Sequence, residues 1–458
     1  MKLLRAVAFL PQGIHRRDLD GILKDSSAIS IAESLCRCSL AYWRDDRLVI
    51  LSPICMHIME KYSQDLLYND ELVESIRQHY YPQIFREAER YSKEEHVNLN
   101  RVFLFDLAQN VVEAQALWYL CSFTSYLYSH NPQSMSLWPS LACAQSEVEL
   151  NAFNQAKADA MVWMSRLYGK MYHNRTSLEM IDAAEQFCRY TDGLKAKLAD
   201  GLCVKGDNHQ SLGKIADAET CLQEAHSICQ ELGDAQEEAF VSINLSDCAM
   251  RRGDLSKATA LLDLAERHFD PTYQAWTDIL LKRAQVALLQ GNFDQARNGI
   301  TCAMESDEEY HGGRKRLEIV HQKANVEAKA STTQAAETVL AEGTTTEILP
   351  GQPNFMQFLT SLRGQAYFAG IVEDIDSSRN HAARVLLLAS EERSDESYRR
   401  SLLISGYIEM FARKYSKARD FLHSALTAID AENLGITVMA YRALGEVAAL
   451  EKDTEGAE

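Results

Sequence analysis

Residues 212–225 read LGKIADAETCLQEA, residues 252–265 RGDLSKATALLDLA, residues 290–303 QGNFDQARNGITCA and residues 412–425 ARKYSKARDFLHSA. The four share one template. An apolar residue (Ile215, Leu255, Phe293, Tyr415) is followed three positions later by a small one (Ala218, Ala258, Ala296, Ala418). Next come an apolar residue (Leu222, Leu262, Ile300, Leu422) and a further alanine (Ala225, Ala265, Ala303, Ala425). Spacings of three and four put all of these on one face of an α-helix.

Weaker copies lie on either side. Leu178 and Ile181 begin an earlier one, Thr333, Ala336 and Leu340 fit a fifth, and Ile375, Ser378 and Ala382 a sixth. The apolar anchors then fall at 178, 215, 255, 293, 333, 375, 415 and 454, a period of about 40. A period of this size predicts an α-solenoid of helical hairpins. Gly213, Gly253 and Gly291 fall at the turn inside each hairpin, where a left-handed residue ends the first helix. Gly206, Gly406 and Gly445 share one place inside the first helix, where a side chain would obstruct close packing. Pro271 follows the second helix of its repeat and stops it.

These residues resemble the tetratricopeptide repeat. Its pattern is Leu-Gly in the first helix (plainest at Leu444-Gly445), a turn, then Ala-x3-apolar-x2-Ala in the second. The resemblance covers residues 165–458. The period exceeds the usual length of about 34, and the first-helix tryptophan is absent. The competing reading is a HEAT or armadillo solenoid, with a period of about 40–47. The tetratricopeptide resemblance implies a superhelix whose first helices line a concave groove. Two positions after the leucine of the motif, the copies offer Asp207, Asp247, Gln285, Asn325, Tyr367 and Tyr407. Such a row suits a protein or extended peptide, the aspartates favouring a basic ligand and the tyrosines stacking on it.

Residues 1–62 have another character. Around Pro11-Gln12-Gly13 the pattern gives two short helices, and residues 29–40 give a third. Residues 39–43 and 47–51 read as strands joined by Arg44-Asp45-Asp46. A hairpin on three helices is a winged-helix pattern. The segments LLRAVAFLPQGI, LAYWRDDRLVIL and SPICMHIMEKY resemble the winged helix that follows the nucleotide-binding domain of STAND-type NTPases of the NACHT/NB-ARC kind. Winged helix then tetratricopeptide array is the order of many fungal members. The resemblance implies the sensor and scaffold part of a signalling protein, either the C-terminal portion of a larger chain or a truncated paralogue. No G-x-x-x-x-G-K-[ST] phosphate loop occurs, and Gly312-Gly313-Arg314-Lys315 has neither its spacing nor its hydroxyl. Residues 63–150 read as a helical linker or cap, and residues 151–458 as the solenoid with an incomplete last repeat. That repeat is expected to expose Val447 and Leu450, and to fray or self-associate with another chain.

Composition narrows the function classes. The 458 residues carry a formal charge of −18, which disfavours a nucleic-acid coat. Residues 1–60 are near neutral, and the third helix offers Arg37 alone for base or phosphate contact, so no nucleic-acid partner is expected. The alternative kept open is a winged-helix DNA-associated regulator with a tetratricopeptide effector domain. The 21 Gly and 8 Pro are too few for a hairpin-rich β fold. The 11 Cys include no C-x-x-C, so neither a disulfide framework nor a metal site is expected. The most apolar stretch, residues 116–128, is too short to span a bilayer, and a cytoplasmic, membrane-free protein is expected. No H-E-x-x-H or G-x-S-x-G occurs, so neither catalysis nor a cofactor is expected. His96, Asp307 to Glu309 and Glu391-Glu392 read as solvated, and Cys203 and Cys302 as core thiols.

Overall fold

A computed structural model describes residues 2–61, 70–87, 91, 94–108, 112–130, 137–145, 150–171, 173–311, 316–330, 336, 339–340, 355–371, 374–391, 395–427 and 434–455. The chain divides into two compact units, Met1–Met164 and Ser165–Glu458. The phosphate-loop-like stretch 312–315 and the repeat residue Thr333 lie outside the described residues.

The first unit opens with helix α1 (Lys2–Phe9), strand β1 (Ile14–His15), helices α2 (Leu19–Leu23) and α3 (Ala28–Arg37), and strands β2 (Ala41–Arg44) and β3 (Arg47–Ile50). The hairpin expected over 39–51 is present. Asp45 and Asp46 both take positive φ (48° and 60°), the two-residue turn that matches strand twist. β1 was not anticipated. It pairs Ile14 with Leu48 and His15 with Arg47, giving an antiparallel sheet in the order β1-β3-β2. Two residues after a Pro-Gln-Gly turn carry no readable alternation. Gly13 (φ 75°) makes the strand possible, because a Cβ there would stand 2.3 Å from the Leu48 carbonyl oxygen.

Helices α4 (Ser52–Lys61), α5 (Asp70–Arg86), α6 (His96–Leu107), α7 (Ala114–His130), α8 (Trp138–Cys143) and α9 (Leu150–Lys170) follow. A buried polar knot ties β3 and the 12–13 turn to α5 and α6. Glu95, just before α6, is fully buried. It accepts from Arg47 at 2.5 Å, Tyr80 at 3.1 Å and Asn98 at 2.8 Å. Asn98 in turn donates to the Gly13 carbonyl and accepts from the Gln12 amide, both at 3.0 Å. His96, expected on a solvated face, is partly buried, and burial pushes its imidazole down.

The second unit is an array of helical hairpins. First helices are α11 (Lys195–Ser211), α13 (Ala235–Arg251), α15 (Gln274–Leu289), α17 (Arg316–Ala330), α18 (Phe355–Ile371), α20 (Asp395–Phe411) and α22 (Leu434–Glu455). Second helices are α10 (Asn174–Tyr190), α12 (Ile215–Leu232), α14 (Leu255–Glu266), α16 (Phe293–His311), α19 (Ile375–Glu391) and α21 (Tyr415–Thr427). Five template anchors are the first residue of their helix. The twelve seam residues that follow the anchors in the four best copies are 0–2 % exposed, which identifies that face as the packing seam. Gly206 and Gly406 act as the spacing predicts, since a Cβ on either would lie 2.7 Å from the Leu222 or Leu422 side chain of the facing helix.

The intra-hairpin turn repeats closely. In each of four copies the residue after the turn donates back to a carbonyl five residues earlier, at 2.8–2.9 Å (Lys214 to His209, Asp254 to Ala249, Asn292 to Ala287, Lys414 to Glu409). The turn residue is left-handed each time: Gly213, Gly253, Gly291, and Arg413 with φ 56°. Arg413 bears a cost that glycine avoids. Arg413→Gly is expected to stabilise the C-terminal repeats by about 1 kcal/mol, measured as a shift in the chemical-denaturation midpoint.

Ion pairs join successive hairpins. The fifth residue of three second helices, Arg297, Arg379 and Arg419, reaches Glu327, Glu409 and Glu451 on the next first helix. At α12 the polarity reverses, Glu219 meeting Arg252 at 2.8 Å and Lys257 at 2.9 Å.

Five expectations need correction. A Cβ on Gly445 would meet nothing within 4 Å, so a side chain there would not obstruct packing as expected. α22 runs unbroken to Glu455, so the anchor at 454 lies within a first helix and opens no second one. Val447, expected at the exposed end, is fully buried against α21, whereas Leu450 is exposed. Asp307 is buried within α16. Cys302 is exposed, while Cys203 is buried as expected. All eleven cysteines are free thiols.

Candidate functional site

Each of the six candidate groove residues sits on a different first helix, in order: Asp207 on α11, Asp247 on α13, Gln285 on α15, Asn325 on α17, Tyr367 on α18 and Tyr407 on α20. All are exposed or half-buried, while the residue before each one is buried in the seam. Burial of the small residue in the seam turns its successor away from the seam, because consecutive helix positions lie about 100° apart.

Three of the six converge. Asp247, Gln285 and Asn325 line one cavity of about 540 Å³, together with Met250, Leu288, Leu289, Arg251, Lys282 and Gln322. Met250, Leu288 and Leu289 give its lining apolar surface and Gln285, Gln322 and Asn325 give it three amides, a composition able to hold a side chain while hydrogen-bonding a backbone. Asp247 is not available for a ligand cation, because Lys282 Nζ donates to it at 2.5 Å. The expectation that both early aspartates recruit a basic ligand therefore narrows to Asp207.

Asp207 has no hydrogen bond or ion pair among the described residues. It touches water on its open side, yet helices crowd it on the others. That desolvation pushes its carboxyl up to about 7. Arg166 and Lys282 pull it down, while Asp247 and Asp200 push it up. Arg166 is itself paired with Asp200. Water on the open side screens the effect on folding. The sign is that of a raised carboxyl: its contribution to stability is full below the unfolded value near 4 and is lost as pH rises through about 7.

The two tyrosines form the other end of the row. Their rings meet edge to face at 6.0 Å, and both contact Phe411, at 5.9 and 6.5 Å. Burial and the nearby Glu446 push the Tyr407 phenol up, so it stays a neutral donor. These rings are not a free platform. Tyr367 packs against the Val320–Ala324 cluster and Tyr407 against the α20–α21 core. The motif row, which took one position per helix, missed Lys282, Gln322, Arg251 and Phe411. Each lies three or four residues from a row member on the same helix, and that spacing alone could have found them.

Among the described residues, no group of three or more His, Cys, Asp or Glu is placed to hold a metal ion. No described helix is long and apolar enough to cross a membrane.

No family model matches the sequence, and no curated protein does. Among solved structures the chain is similar to a signal transduction ATPase with numerous domains (STAND) protein with a tetratricopeptide repeat sensor from Pyrococcus horikoshii. The TM-score is 0.45 at 11% identity, over 98% of this chain and 64% of that one. This chain thus spans less than two thirds of that protein's length. It is also similar to a tetratricopeptide repeat protein from Parabacteroides merdae, with TM-score 0.38 and 13% identity over 63% of this chain and 98% of that one. A third similar structure is aspartyl phosphate phosphatase F from Bacillus subtilis, with TM-score 0.41 and 13% identity over 79% of this chain and 88% of that one. The fold is mainly α, with a small three-stranded sheet and a tetratricopeptide-like solenoid.

Proposed function

We propose that this chain is a non-catalytic interaction scaffold whose solenoid groove holds an extended segment of a partner protein. The observation that carries the reading is the convergence of Asp247, Gln285 and Asn325, from three successive first helices, on one cavity. Residue types give the ligand a direction. A cationic side chain suits Asp207, a backbone stretch suits the amides, and an apolar or aromatic side chain suits the rim of Tyr367 and Tyr407.

Within this reading, residues 1–62 are a winged-helix domain, 63–150 a helical linker or cap, and 151–458 the sensor array of a STAND-type signalling protein in the cytoplasm. In a winged helix that serves as a protein-packing module, cations are bound internally. Arg16 meets Glu33, Arg17 meets Glu94 and Arg47 meets Glu95, which leaves less positive charge for a DNA backbone.

Calorimetric titration of an extended-peptide panel tests the groove. A peptide carrying Arg or Lys should bind more tightly as pH rises, by up to about tenfold per unit below pH 7, and level off above it. The bound cation draws the proton off Asp207, so Asp207→Asn should flatten that profile. A panel that never binds, or binding indifferent to the pair Gln285→Ala and Asn325→Ala, would remove the proposal.

A further inference from the structure

The cavity shared by α13, α15 and α17 contains one bound pair, Asp247 with Lys282. Its other polar groups are unengaged. Arg251, Gln285, Gln322 and Asn325 make no hydrogen bond or ion pair among the described residues. Lys282 is well answered by carboxylates, with Asp247 in contact and Asp278 and Glu318 acting from outside the cavity. Arg251 is not. The carboxylates that share its surroundings near Cys248 are engaged elsewhere, Asp247 by Lys282, and Glu219 by Arg252 and Lys257. A chain with a formal charge of −18 thus keeps an unanswered cation in its groove cavity, beside three amides that have no partner among the described residues.

We propose that this cavity is an anion subsite that takes an aspartate or glutamate side chain of the partner segment, with Arg251 as its counter-ion. The inference rests on the groove reading above and gives that segment a second charge. An arginine presents a fork of donors that matches a carboxylate, and each amide adds N–H donors beside it. Met250 and Leu288 offer apolar surface to the methylenes behind the carboxylate. Place in the row argues for a side chain within the segment and against a chain end. In helix order Asp207 precedes the cavity, and Tyr367 and Tyr407 follow it, so a segment lying along the row continues past the cavity in both directions. Asp247 in the same lining argues for a single negative charge over a phosphate, which would bring close to two. Helix geometry supplies the spacing. Neighbouring first helices set Asp207 and its counterpart Asp247 about 10 Å apart. Arg251 lies one turn further, about 6 Å along α13. An extended chain covers that separation in about three or four residues. The partner segment therefore carries a basic and an acidic residue about three or four positions apart.

Calorimetric titration of the full chain with capped nonapeptides is the test, run about one unit above the value near 7 at which Asp207 ionises. Each peptide carries one Arg and one Glu in either order at varied separation, with acetyl and amide ends so that Glu supplies the only carboxylate. Binding should be tightest at a separation of about three or four, and Gln in place of Glu should weaken it about fivefold or more. Arg251→Gln should abolish that preference and leave the affinity of the Gln peptides in place. Its circular dichroism should be unchanged, since Arg251 is exposed and has no partner to lose among the described residues. Arg251→Glu should reverse the preference in favour of Lys. Peptides that bind without preferring Glu to Gln overturn the subsite and leave the groove reading standing. A preference that survives Arg251→Gln overturns it too, as does a phosphoserine peptide that binds more tightly than the Glu one. A panel that never binds removes the groove reading and the subsite together.

Discussion

Glu95→Ala is expected to destabilise the first unit by about 3–5 kcal/mol. Glu95 is a fully buried carboxylate with three donors: the Arg47 guanidinium, the Tyr80 hydroxyl and the Asn98 amide. Truncation removes the anion and leaves those donors behind. Arg47, only 13 % exposed, would then carry a nearly buried charge with no counter-ion from Glu95, and Tyr80 has no water to turn to. Stranded buried groups cost more than the pair itself contributes. Glu95→Gln keeps an acceptor in place and should lose less. Because β3 and the 12–13 turn hang on this knot, the sheet should loosen with it. Four of the five tryptophans (Trp43, Trp118, Trp138, Trp163) fall in the first unit, so fluorescence-monitored urea unfolding reports on it selectively. A midpoint unmoved by Glu95→Ala would mean that the knot is not closed in solution.

Leu422→Ala is expected to cost about 2–5 kcal/mol, and to cost it locally. Leu422 fills the Gly406 slot and belongs to the cluster of Leu403, Met410, Ala440, Ala443 and Val447. Glycine at 406 means that the facing helix has no side chain with which to refill the space, so the cavity persists. In a repeat array, stability is a sum over units and neighbouring interfaces. Amide hydrogen exchange should therefore accelerate in α20 to α22 while α11 to α14 keep their protection. Uniform acceleration would show instead that the array opens as one cooperative body.

These two sites also mark how far the sequence was legible. The Leu422 seam could be read because its partners recur at fixed spacing within one helix, and the small residues must be small for backbones to approach. Spacing alone places Ala258, Leu262 and Ala265 in the core, where all three are fully buried. The Glu95 knot could not, since Arg47 lies 48 residues away and no periodicity links the two. An acidic pair beside a histidine looks solvated until its partners are seen. The candidate groove was legible as a row but not as chemistry. One position per helix named Asp247, and only the fold brought Lys282 onto it. The Gly445 error has a related cause: the motif specifies a slot, not whether anything fills it.

The Arg–Glu pairs that link one hairpin to the next lead to a mechanical consequence. Arg297–Glu327 and Arg379–Glu409 are bidentate, and each ties a second helix to the following first helix at one edge of the seam. An array fastened along one edge behaves as a torsional spring with adjustable clamps. The arginine side chains are about a third or more exposed, so dissolved ions compete for them within a Debye length of about 8 Å. Raising ionic strength should soften these joints and let neighbouring repeats twist further apart, changing the width of the groove without unfolding a helix. Energy transfer between dyes on α16 and α20 should register that twist as a salt-dependent distance, and Arg297→Ala with Arg379→Ala should abolish the response. A ligand that prefers one groove width would then be gripped or released by the salt around it.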